Sequence, residues 1–362
     1  MRIALYDRET LEIKSIRTIK TENRGSFHNK YSAQYGIQSE IDEFARCGDT
    51  INIKMASGFN PAIRESGIYT LNFDESYSGN IIFRRISTGL GDLVMLLATV
   101  QLMRKYARNA KIYVLTLPAY AEILEHHPDI EKVIYEGDRL PEGRVIELGD
   151  PCPAARYESS CRNEYGEYSI IQNRTEIYAR ASGLQGKLET PKLYLTEEEI
   201  LSVKVNKPAI GIELSAAEKW RDYPHIKALA KKLRKYYNVY IFDLKEQLKA
   251  SGIVNITGQP LRKVLAYIAN MDLMICPDSG LAHCTGALNT PLLGVIAPTD
   301  GLVRFGIYDN VTLIKIECNK DRYPCWYSPC KGFREYQPCL KNVKVKHILK
   351  EVKNILGSRT KT

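Results

Sequence analysis

The chain has 362 residues, of which 44% are hydrophobic and 26% are charged, and its formal net charge is +9. This length favours two or three domains, and the composition excludes a largely disordered protein. No apolar run approaches the ~20 residues that a bilayer-spanning helix needs. The N-terminus reaches Asp7 too early for a secretory leader, so we expect a cytoplasmic protein.

The positive charge permits attraction to phosphates, anionic sugars or a membrane surface. Much of it lies on predicted helix faces, as in residues 227–235, where a solvated face is the default interpretation. The sequence contains no aromatic-basic RNA signature, zinc-finger spacing or helix-turn-helix pattern. We therefore expect no nucleic-acid partner.

The predicted elements change character along the chain. Residues 1–78 contain short alternating segments at 51–55 and 67–73, which indicate a small β-rich N-terminal appendage. From residue 79, strands alternate with helices, a pattern typical of a parallel sheet covered on both faces. This first series comprises strands at 81–86, 111–117, 133–135 and 145–148, and helices at 93–107, 119–126 and 175–182.

A second series of the same kind begins near residue 207. It comprises strands at 209–213, 239–242, 273–276 and 291–296, and helices at 225–236, 261–269 and 281–288. An amphipathic helix over 345–356 follows and ends before Gly357. The expected domains are residues 79–206 and 207–340, preceded by the appendage and followed by the C-terminal helix in 341–362.

Two glycine-containing turns are the main functional signal. Residues 88–92 follow the first strand of the first series, and residues 276–283 follow the third strand of the second series. Each opens a helix, where backbone amides bind anions and glycines let a ligand approach closely. The two turns predict a phosphorylated ligand in a cleft between two domains.

Three motifs, in this order, resemble those of glycosyltransferase family nine, the ADP-heptose:lipopolysaccharide heptosyltransferases. They are Gly89-Leu90-Gly91-Asp92; Ser215-Ala216-Ala217-Glu218-Lys219-Trp220; and Pro277-Asp278-Ser279-Gly280-Leu281-Ala282-His283 with Ala287-Leu288-Asn289-Thr290-Pro291 and Pro298-Thr299-Asp300. The resemblance runs from about residue 81 to residue 356. Ala98 and Leu281 stand where the family usually has proline.

The resemblance implies the GT-B arrangement, in which two Rossmann-like domains face each other. It places the nucleotide-sugar donor in the C-terminal domain and the acceptor on the N-terminal side. It further implies inversion at the anomeric carbon without a catalytic divalent metal.

Asp92 is the expected catalytic base, because sugar transfer requires the acceptor hydroxyl to lose its proton. Its alternative role is to cap the helix that follows. The departing diphosphate needs cations and N–H dipoles, for which Lys219 and the amides of residues 279–281 are the candidates. The alternative for Lys219 is an ordinary surface lysine.

Two further site residues, Asp278 and His283, each have two interpretations. Asp278 binds sugar or ribose hydroxyls, or it caps its helix, and His283 reaches a phosphate or is a structural histidine. The other expected contacts are Ser215, Ser279, Gly280 and Leu281 for the donor, and Thr88, Gly89 and Gly91 in the first glycine turn.

Nine cysteines are many for a cytoplasmic enzyme. Cys276 and Cys284 are expected in the core. Four others crowd into one loop, at Cys318, Cys325, Cys330 and Cys339. Four thiolates suit a structural zinc or iron site, whereas the alternative of two disulfides is disfavoured in a reducing cytosol.

This loop is similar to a feature of one subgroup, the bacterial autotransporter heptosyltransferases. Its members combine a β-rich N-terminal appendage, the Gly-Asp motif about ninety residues in, and a four-cysteine iron finger near the C-terminus. Within that subgroup the acceptor is a protein hydroxyl and the assembly is oligomeric.

The expected function is an inverting glycosyltransferase that moves a sugar, heptose by resemblance, from an ADP-sugar to a glycan or lipopolysaccharide-type hydroxyl. One alternative is a protein O-heptosyltransferase acting on Ser or Thr of an autotransporter-like protein. Another is a catalytically silent GT-B binding protein. A dinucleotide-dependent oxidoreductase ranks low, because the third glycine of its phosphate-binding fingerprint is absent after Gly91.

Overall fold

The computed structural model describes residues 2–6, 13–18, 54–56, 76–86, 89–148, 160–162, 168–170, 173–184, 186–243, 248–318, 324 and 337–357. The predicted strand at 67–73, Thr88, Cys325 and Cys330 lie outside the described residues. None of the described helices is long and apolar enough to cross a membrane.

Three short strands near the N-terminus form an antiparallel sheet in the order β2-β1-β3. They are β1 (Arg2–Tyr6), β2 (Ile13–Thr18) and β3 (Lys54–Ala56). These strands lie in the segment for which we expected a β-rich structure. The predicted strand at 51–55 overlaps β3, which lies slightly later in the chain.

The first α/β unit is a four-stranded parallel sheet in the order β6-β5-β4-β7. It comprises β4 (Asn80–Arg84), helix α1 (Leu90–Tyr106), β5 (Lys111–Thr116), β6 (Lys132–Tyr135) and β7 (Arg144–Glu147). Helix α1 begins three residues earlier than predicted, because Gly89 in extended conformation is its N-cap. The predicted α-helix at 119–126 is instead a 3₁₀ helix over Pro118–Leu124, whose buried Ala121 and Leu124 follow the three-residue turn.

The connection between the two units contains strands β8 (Ser160–Arg162) and β9 (Tyr168–Ile170), which pair antiparallel. Helix α2 (Arg174–Ala181) follows and agrees with the prediction for 175–182. The short helix α3 (Glu197–Leu201) starts at a capping box formed by Thr196 and Glu199.

The second unit is a six-stranded parallel sheet in the order β12-β11-β10-β13-β14-β15. Its strands are β10 (Ala209–Glu213), β11 (Asn238–Phe242), β12 (Ile253–Asn255), β13 (Leu273–Cys276), β14 (Leu292–Gly294) and β15 (Val311–Leu313). Its helices are α4 (Ile226–Leu233), α5 (Leu261–Ala269), α6 (Gly280–Ala287), α7 (Gly301–Phe305), α8 (Pro338–Asn342) and α9 (Val345–Leu356). This strand order is that of a doubly wound Rossmann sheet.

The predictions for the second unit differ from the structure mainly at element ends. Helix α4 stops at Leu233 rather than at residue 236, because the polar, basic residues that follow form turns. Strand β14 covers only three residues of the predicted 291–296. Helix α9 is confirmed, and Gly357 ends it with φ of +61°, a conformation that favours glycine.

The hydrophobic core is continuous between the two sheets. Residues 93–103 of α1 are all buried, so this helix has no solvent-exposed face along its middle. One apolar cluster contains α1, part of the four-stranded sheet and the adjoining face of the six-stranded sheet. A second cluster lies between the six-stranded sheet and helices α4 and α9. Cys276 and Cys284 are buried, as predicted.

Candidate functional site

The carboxyl ends of β4 and β13 lead into two helices whose first turns pack against each other. A Cβ on Gly280 of α6 would lie 2.8 Å from the Cβ of Leu90, and one on Gly91 of α1 would lie 2.8 Å from Cδ2 of His283. These distances are too short for any side chain. The Cβ positions of Gly91 and Gly280 are therefore occupied by the opposite helix, so close helix packing requires glycine at both. The ligand contacts expected of these residues stay a prediction.

This junction lies where ligands bind in doubly wound folds. The strand order of the second sheet reverses between β10 and β13, and ligands of such sheets bind beyond the carboxyl ends of the strands at that point. The residues that follow are Leu214–Trp220 after β10 and Pro277–His283 after β13. Both predicted donor segments thus lie at one edge of the sheet, together with the positive end of the α6 dipole.

Asp92 is held by two arginines on the four-stranded side of the junction. Its Oδ2 accepts a hydrogen bond of 2.8 Å from Nη2 of Arg85, and its Oδ1 accepts one of 2.6 Å from Nη1 of Arg174. Arg85 is almost fully buried and also donates from Nε to the Tyr178 hydroxyl at 3.0 Å. Burial, and next the negative charge of Asp92, raise the pKa of Tyr178 well above its usual value.

The structure excludes one of the two interpretations of Asp92. The N-cap of α1 is Gly89, and no side chain caps this helix end, so the capping alternative is wrong. Two guanidinium groups favour the ionised carboxylate and fix its direction. The arrangement presents a rigid anionic acceptor at the first turn of α1.

Asp278 is buried on the opposite side of the junction and is also paired with arginines. Its Oδ2 accepts from the Thr299 hydroxyl at 2.9 Å, and its Oδ1 accepts from Nη2 of Arg304 at 3.3 Å. Nη1 of Arg221 lies 3.8 Å from Oδ2 and donates to the Asp278 backbone carbonyl at 3.2 Å. Burial alone would raise the pKa of Asp278, but Arg304 and Arg221 outweigh it and hold the pKa well below its usual range.

Ser279, not Asp278, is the N-cap of α6. Its hydroxyl accepts from the Ala282 amide at 3.1 Å and donates to the carboxyl group of Glu213 at the end of β10. The capping alternative for Asp278 is therefore wrong. Burial raises the pKa of Glu213 to about 8, and the nearby carboxylates of Asp243 and Asp222 add to the effect.

Ser215 lies two residues after the end of β10, and its hydroxyl donates to Oδ2 of Asp243 at 2.5 Å. Asp222 accepts from the Ala216 amide at 2.7 Å, which fixes the turn that carries the second motif. These bonds set the loop conformation beside α6. The contact of Ser215 with the nucleotide-sugar donor stays a prediction.

Lys219 begins a 3₁₀ helix over Lys219–Arg221 and is exposed. Arg221, two residues later, turns the other way and contacts Asp278, with only 12% of its side chain exposed. The segment thus supplies one cation beside α6 and one at the solvent edge.

His283 is buried between the two helices. Its ring stacks on Phe305 with centroids 4.4 Å apart, and its Nδ1 lies 3.0 Å from the Tyr308 hydroxyl. Burial, and next the charge of Arg304, lower the pKa of His283 to about 3, so the ring is neutral. Within the described part of the chain, its Nε2 is buried and has no hydrogen-bond partner. His283 therefore packs as a structural residue and also has a ring nitrogen that could bind a ligand.

The four-cysteine loop is described only at its ends. Cys339 is buried and Cys318 half-buried, and both pack on the apolar cluster beneath α4 and α9. Among the described residues, no group of three potential ligands is close enough to hold a metal ion. The two described cysteines of this loop thus lie on one apolar core.

Four arginines and one glutamate of the site were not predicted from the sequence. They are Arg85, Arg174, Arg221, Arg304 and Glu213. Two of them could have been found from the sequence, because Arg85 directly follows a buried strand and Arg221 lies beside the second motif. Arg174 is 82 positions from Asp92 and carries no local signal.

The comparisons with known proteins agree with the sequence motifs. Residues 154–331 match the model of glycosyltransferase family 9 (heptosyltransferase). Lipopolysaccharide heptosyltransferase 1 of Campylobacter coli is 23% identical over 339 residues, covering 75% of this chain and 97% of that protein.

Solved structures share the fold. ADP-heptose LPS heptosyltransferase II of E. coli superposes with a TM-score of 0.59 at 18% identity, covering 76% of this chain and 98% of that one. TibC, an iron-containing dodecameric glycosyltransferase of enterotoxigenic E. coli H10407, gives a TM-score of 0.59 at 12% identity. It covers 99% of this chain and 92% of its own. The α/β architecture of two Rossmann-like units is thus that of the GT-B heptosyltransferases.

Proposed function

Since the chain is a glycosyltransferase whose residues 154–331 match the family 9 model, we propose that it belongs to this family and transfers a heptose from ADP-heptose to an acceptor hydroxyl, with inversion at the anomeric carbon. The observation that carries this proposal is the meeting of Asp92 and the α6 N-terminus across the packed first turns of α1 and α6. A base and an anion-binding helix end then lie on opposite sides of one junction.

The proposed step is a single displacement. The acceptor oxygen attacks the anomeric carbon, the bond from that carbon to the phosphate oxygen breaks, and the acceptor proton passes to Asp92. Arg85 and Arg174 hold the carboxylate ionised and in one orientation. ADP leaves with the electron pair of the broken bond.

The leaving diphosphate would be stabilised by the α6 end and its cations. The amides of Ala282 and His283 bond to Ser279, which leaves those of Gly280 and Leu281, within the described residues, for phosphate oxygens. Arg221 and Arg304 are oriented beside this end by Asp278. Lys219 would contact the diphosphate from the solvent side, and Nε2 of His283 from within the junction.

The proposed acceptor is the hydroxyl of a glycan of lipopolysaccharide type, bound on the side of the four-stranded unit. The support is the Campylobacter coli relative, which is named a lipopolysaccharide heptosyltransferase and spans three quarters of this chain.

A protein hydroxyl is the second candidate acceptor. It is favoured by one observation: the superposition with TibC covers 99% of this chain and so includes the N-terminal strands, whereas that with heptosyltransferase II covers 76%. Under this alternative the protein would also assemble into a homo-oligomer.

We also propose that Cys318, Cys325, Cys330 and Cys339 hold a structural iron or zinc ion. The spacing of the four cysteines supports this role, and so does the location of Cys318 and Cys339 on one core. Bound metal would tie the loop ends together and take no part in sugar transfer. Elemental analysis of the purified protein and of Cys325→Ser should show one metal ion per chain in the first and none in the second, whereas two disulfides and no metal would contradict the assignment.

Donor and acceptor can be tested together. The purified protein should bind ADP in preference to GDP and UDP by calorimetry, and mass spectrometry should show a heptose mass added to one of two acceptors. Addition to truncated lipopolysaccharide supports the glycan acceptor, and addition to a Ser/Thr-rich autotransporter fragment supports the protein acceptor. ADP binding without transfer to either would favour a silent binding protein, and no nucleotide binding would overturn the donor proposal.

A further inference from the structure

Helices α4 and α9 lie side by side on the outer face of the six-stranded sheet. Their apolar sides share one core cluster, to which Ile226, Leu229 and Leu233 contribute from α4 and Ile348, Val352 and Leu356 from α9. Polar contacts join the segments that precede them. The Tyr223 hydroxyl donates to the Val343 carbonyl at 2.8 Å, and Nε2 of His225 lies 3.2 Å from the Lys341 carbonyl.

The segments that contain these helices carry almost only positive charge. Residues 226–235 and 341–356 contain ten lysine and arginine residues and a single acidic residue, Glu351. Their surplus of nine positive charges equals the net charge of the whole chain. The nine lysines are all exposed: Lys227, Lys231, Lys232, Lys235, Lys341, Lys344, Lys346, Lys350 and Lys353. We call these nine residues the lysine surface.

We propose that the lysine surface binds the anionic headgroups of a phospholipid membrane. The whole net charge of the chain lies in these two adjacent segments, since the rest of the chain is balanced. The ammonium group of lysine is a compact charge that needs no fixed partner geometry, which suits a diffuse layer of headgroups. Neighbouring lysines add to the attraction when they lie within a Debye length of an anionic bilayer. Tyr236, 53% exposed immediately after Lys235, supplies an aromatic side chain of the kind that lies at membrane interfaces.

The composition of this surface argues against nucleic acid as the partner. Only one of the ten basic residues is arginine, and Arg234 donates from Nη1 to the Ser251 carbonyl at 2.6 Å. These two segments thus offer few of the bidentate guanidinium contacts typical of nucleic-acid recognition.

The lysine surface adjoins the candidate site. The loop that carries Arg221 continues directly into α4, and His225 at the start of α4 touches the backbone at Lys341. Membrane binding through this surface would place the edge of the sugar-transfer site near the bilayer. The binding itself does not depend on the proposed function, because it requires no donor or acceptor.

The test compares two variants of the full chain with equal net charge. Lys346→Glu/Lys350→Glu/Lys353→Glu reverses three charges on α9, and Lys132→Glu/Lys187→Glu/Lys204→Glu reverses three exposed lysines elsewhere. Co-sedimentation uses phosphatidylcholine vesicles with and without phosphatidylglycerol. The wild type should bind only the anionic vesicles, in a salt-sensitive manner, and the α9 variant should bind at least about tenfold more weakly. The control variant should bind like the wild type.

Three results would overturn the proposal: no binding of the wild type to anionic vesicles, an equal loss in both variants, or a loss of duplex-DNA binding in the α9 variant without a change in vesicle binding. Thermal melts of each variant report whether it folds. If the α9 variant does not fold, Lys227→Gln/Lys231→Gln/Lys235→Gln, in and directly after α4, serves as the second variant and should also weaken vesicle binding.

Discussion

Arg262 of α5 binds Glu199 of the linker helix α3 with two hydrogen bonds, 2.7 Å from Nε and 2.6 Å from Nη2. The same guanidinium donates to the Tyr194 carbonyl at 3.0 Å and to the Glu122 carbonyl at 3.2 Å. One side chain of the six-stranded unit therefore holds both the linker and the 3₁₀ helix of the four-stranded unit. This contact adds a polar connection to the apolar core that the two units share.

We expect Arg262→Gln to lower the free energy of unfolding by about 2 kcal/mol, because it leaves a half-buried carboxylate without its bidentate partner. Hydrogen bonding from Arg262 lowers the pKa of Glu199 from 4.5 to about 2. A lowered pKa in the folded state means that the stability from this pair is present above pH 4.5 and is lost as the pH falls towards 2. Chemical denaturation of both proteins at several pH values measures this. Equal stability of the two at pH 7 would contradict it.

The Gly280 contact gives a second prediction. Gly280→Ala would place a methyl group against Leu90 and Gly91, and we expect a loss of about 1–3 kcal/mol of stability together with weaker sugar transfer, since the helix junction must open. Gly357→Ala is the matched control. It has open space around its Cβ but a φ of +61°, so it should cost stability alone. Transfer assays and thermal melts of both variants distinguish the effects. Normal transfer by Gly280→Ala would show that the junction is not part of the site.

Lys219 and Arg221 should differ in what they contribute. Arg221→Gln removes a partner of buried Asp278, so we expect both ADP affinity and the melting temperature to fall. Lys219 is exposed, so Lys219→Gln should weaken ADP binding by about tenfold, or about 1.4 kcal/mol, with little change in melting temperature. Calorimetry with ADP and thermal melts supply the two readouts. Unchanged ADP affinity in Lys219→Gln would remove this lysine from the donor site.

Glu213 predicts a pH dependence of stability. Burial raises its pKa from 4.5 to about 8, so the folded state retains a proton that the unfolded state loses. The contribution of this group to stability is therefore complete below pH 4.5 and is lost as the pH rises through about 8. Glu213→Gln should flatten the decline in melting temperature between pH 5 and pH 8, whereas the exposed control Glu198→Gln should not. Identical pH profiles for all three proteins would contradict this account of Glu213.

The fold was largely predictable because its strands and helices are separated by short connections and carry regular apolar periods. The spacing of Ile348, Val352 and Leu356 predicts the buried side of α9. Element ends were less predictable where a backbone feature decides them. Gly89 starts α1 three residues early, and Pro118 opens a 3₁₀ helix in place of an α-helix.

The site was predictable only where its residues lie in local motifs. The sequence places Asp92 and Asp278 at helix starts, but it does not show that each carboxylate is paired with arginines. Those partners are distant in sequence, as the 82 positions between Asp92 and Arg174 show. Only the folded structure brings them together, and with them the Glu213–Ser279 contact that fixes the N-cap of α6.

The most direct test of the central claim is the transfer rate of Asp92→Asn, measured by mass spectrometry with ADP-heptose and the acceptor that the wild type uses. Asparagine keeps the shape of the side chain but cannot take up the acceptor proton. The account predicts a rate about 10²–10⁴-fold below the wild type with ADP affinity unchanged, provided that thermal melts show a folded protein. Transfer near the wild-type rate would contradict the role of Asp92 as the base.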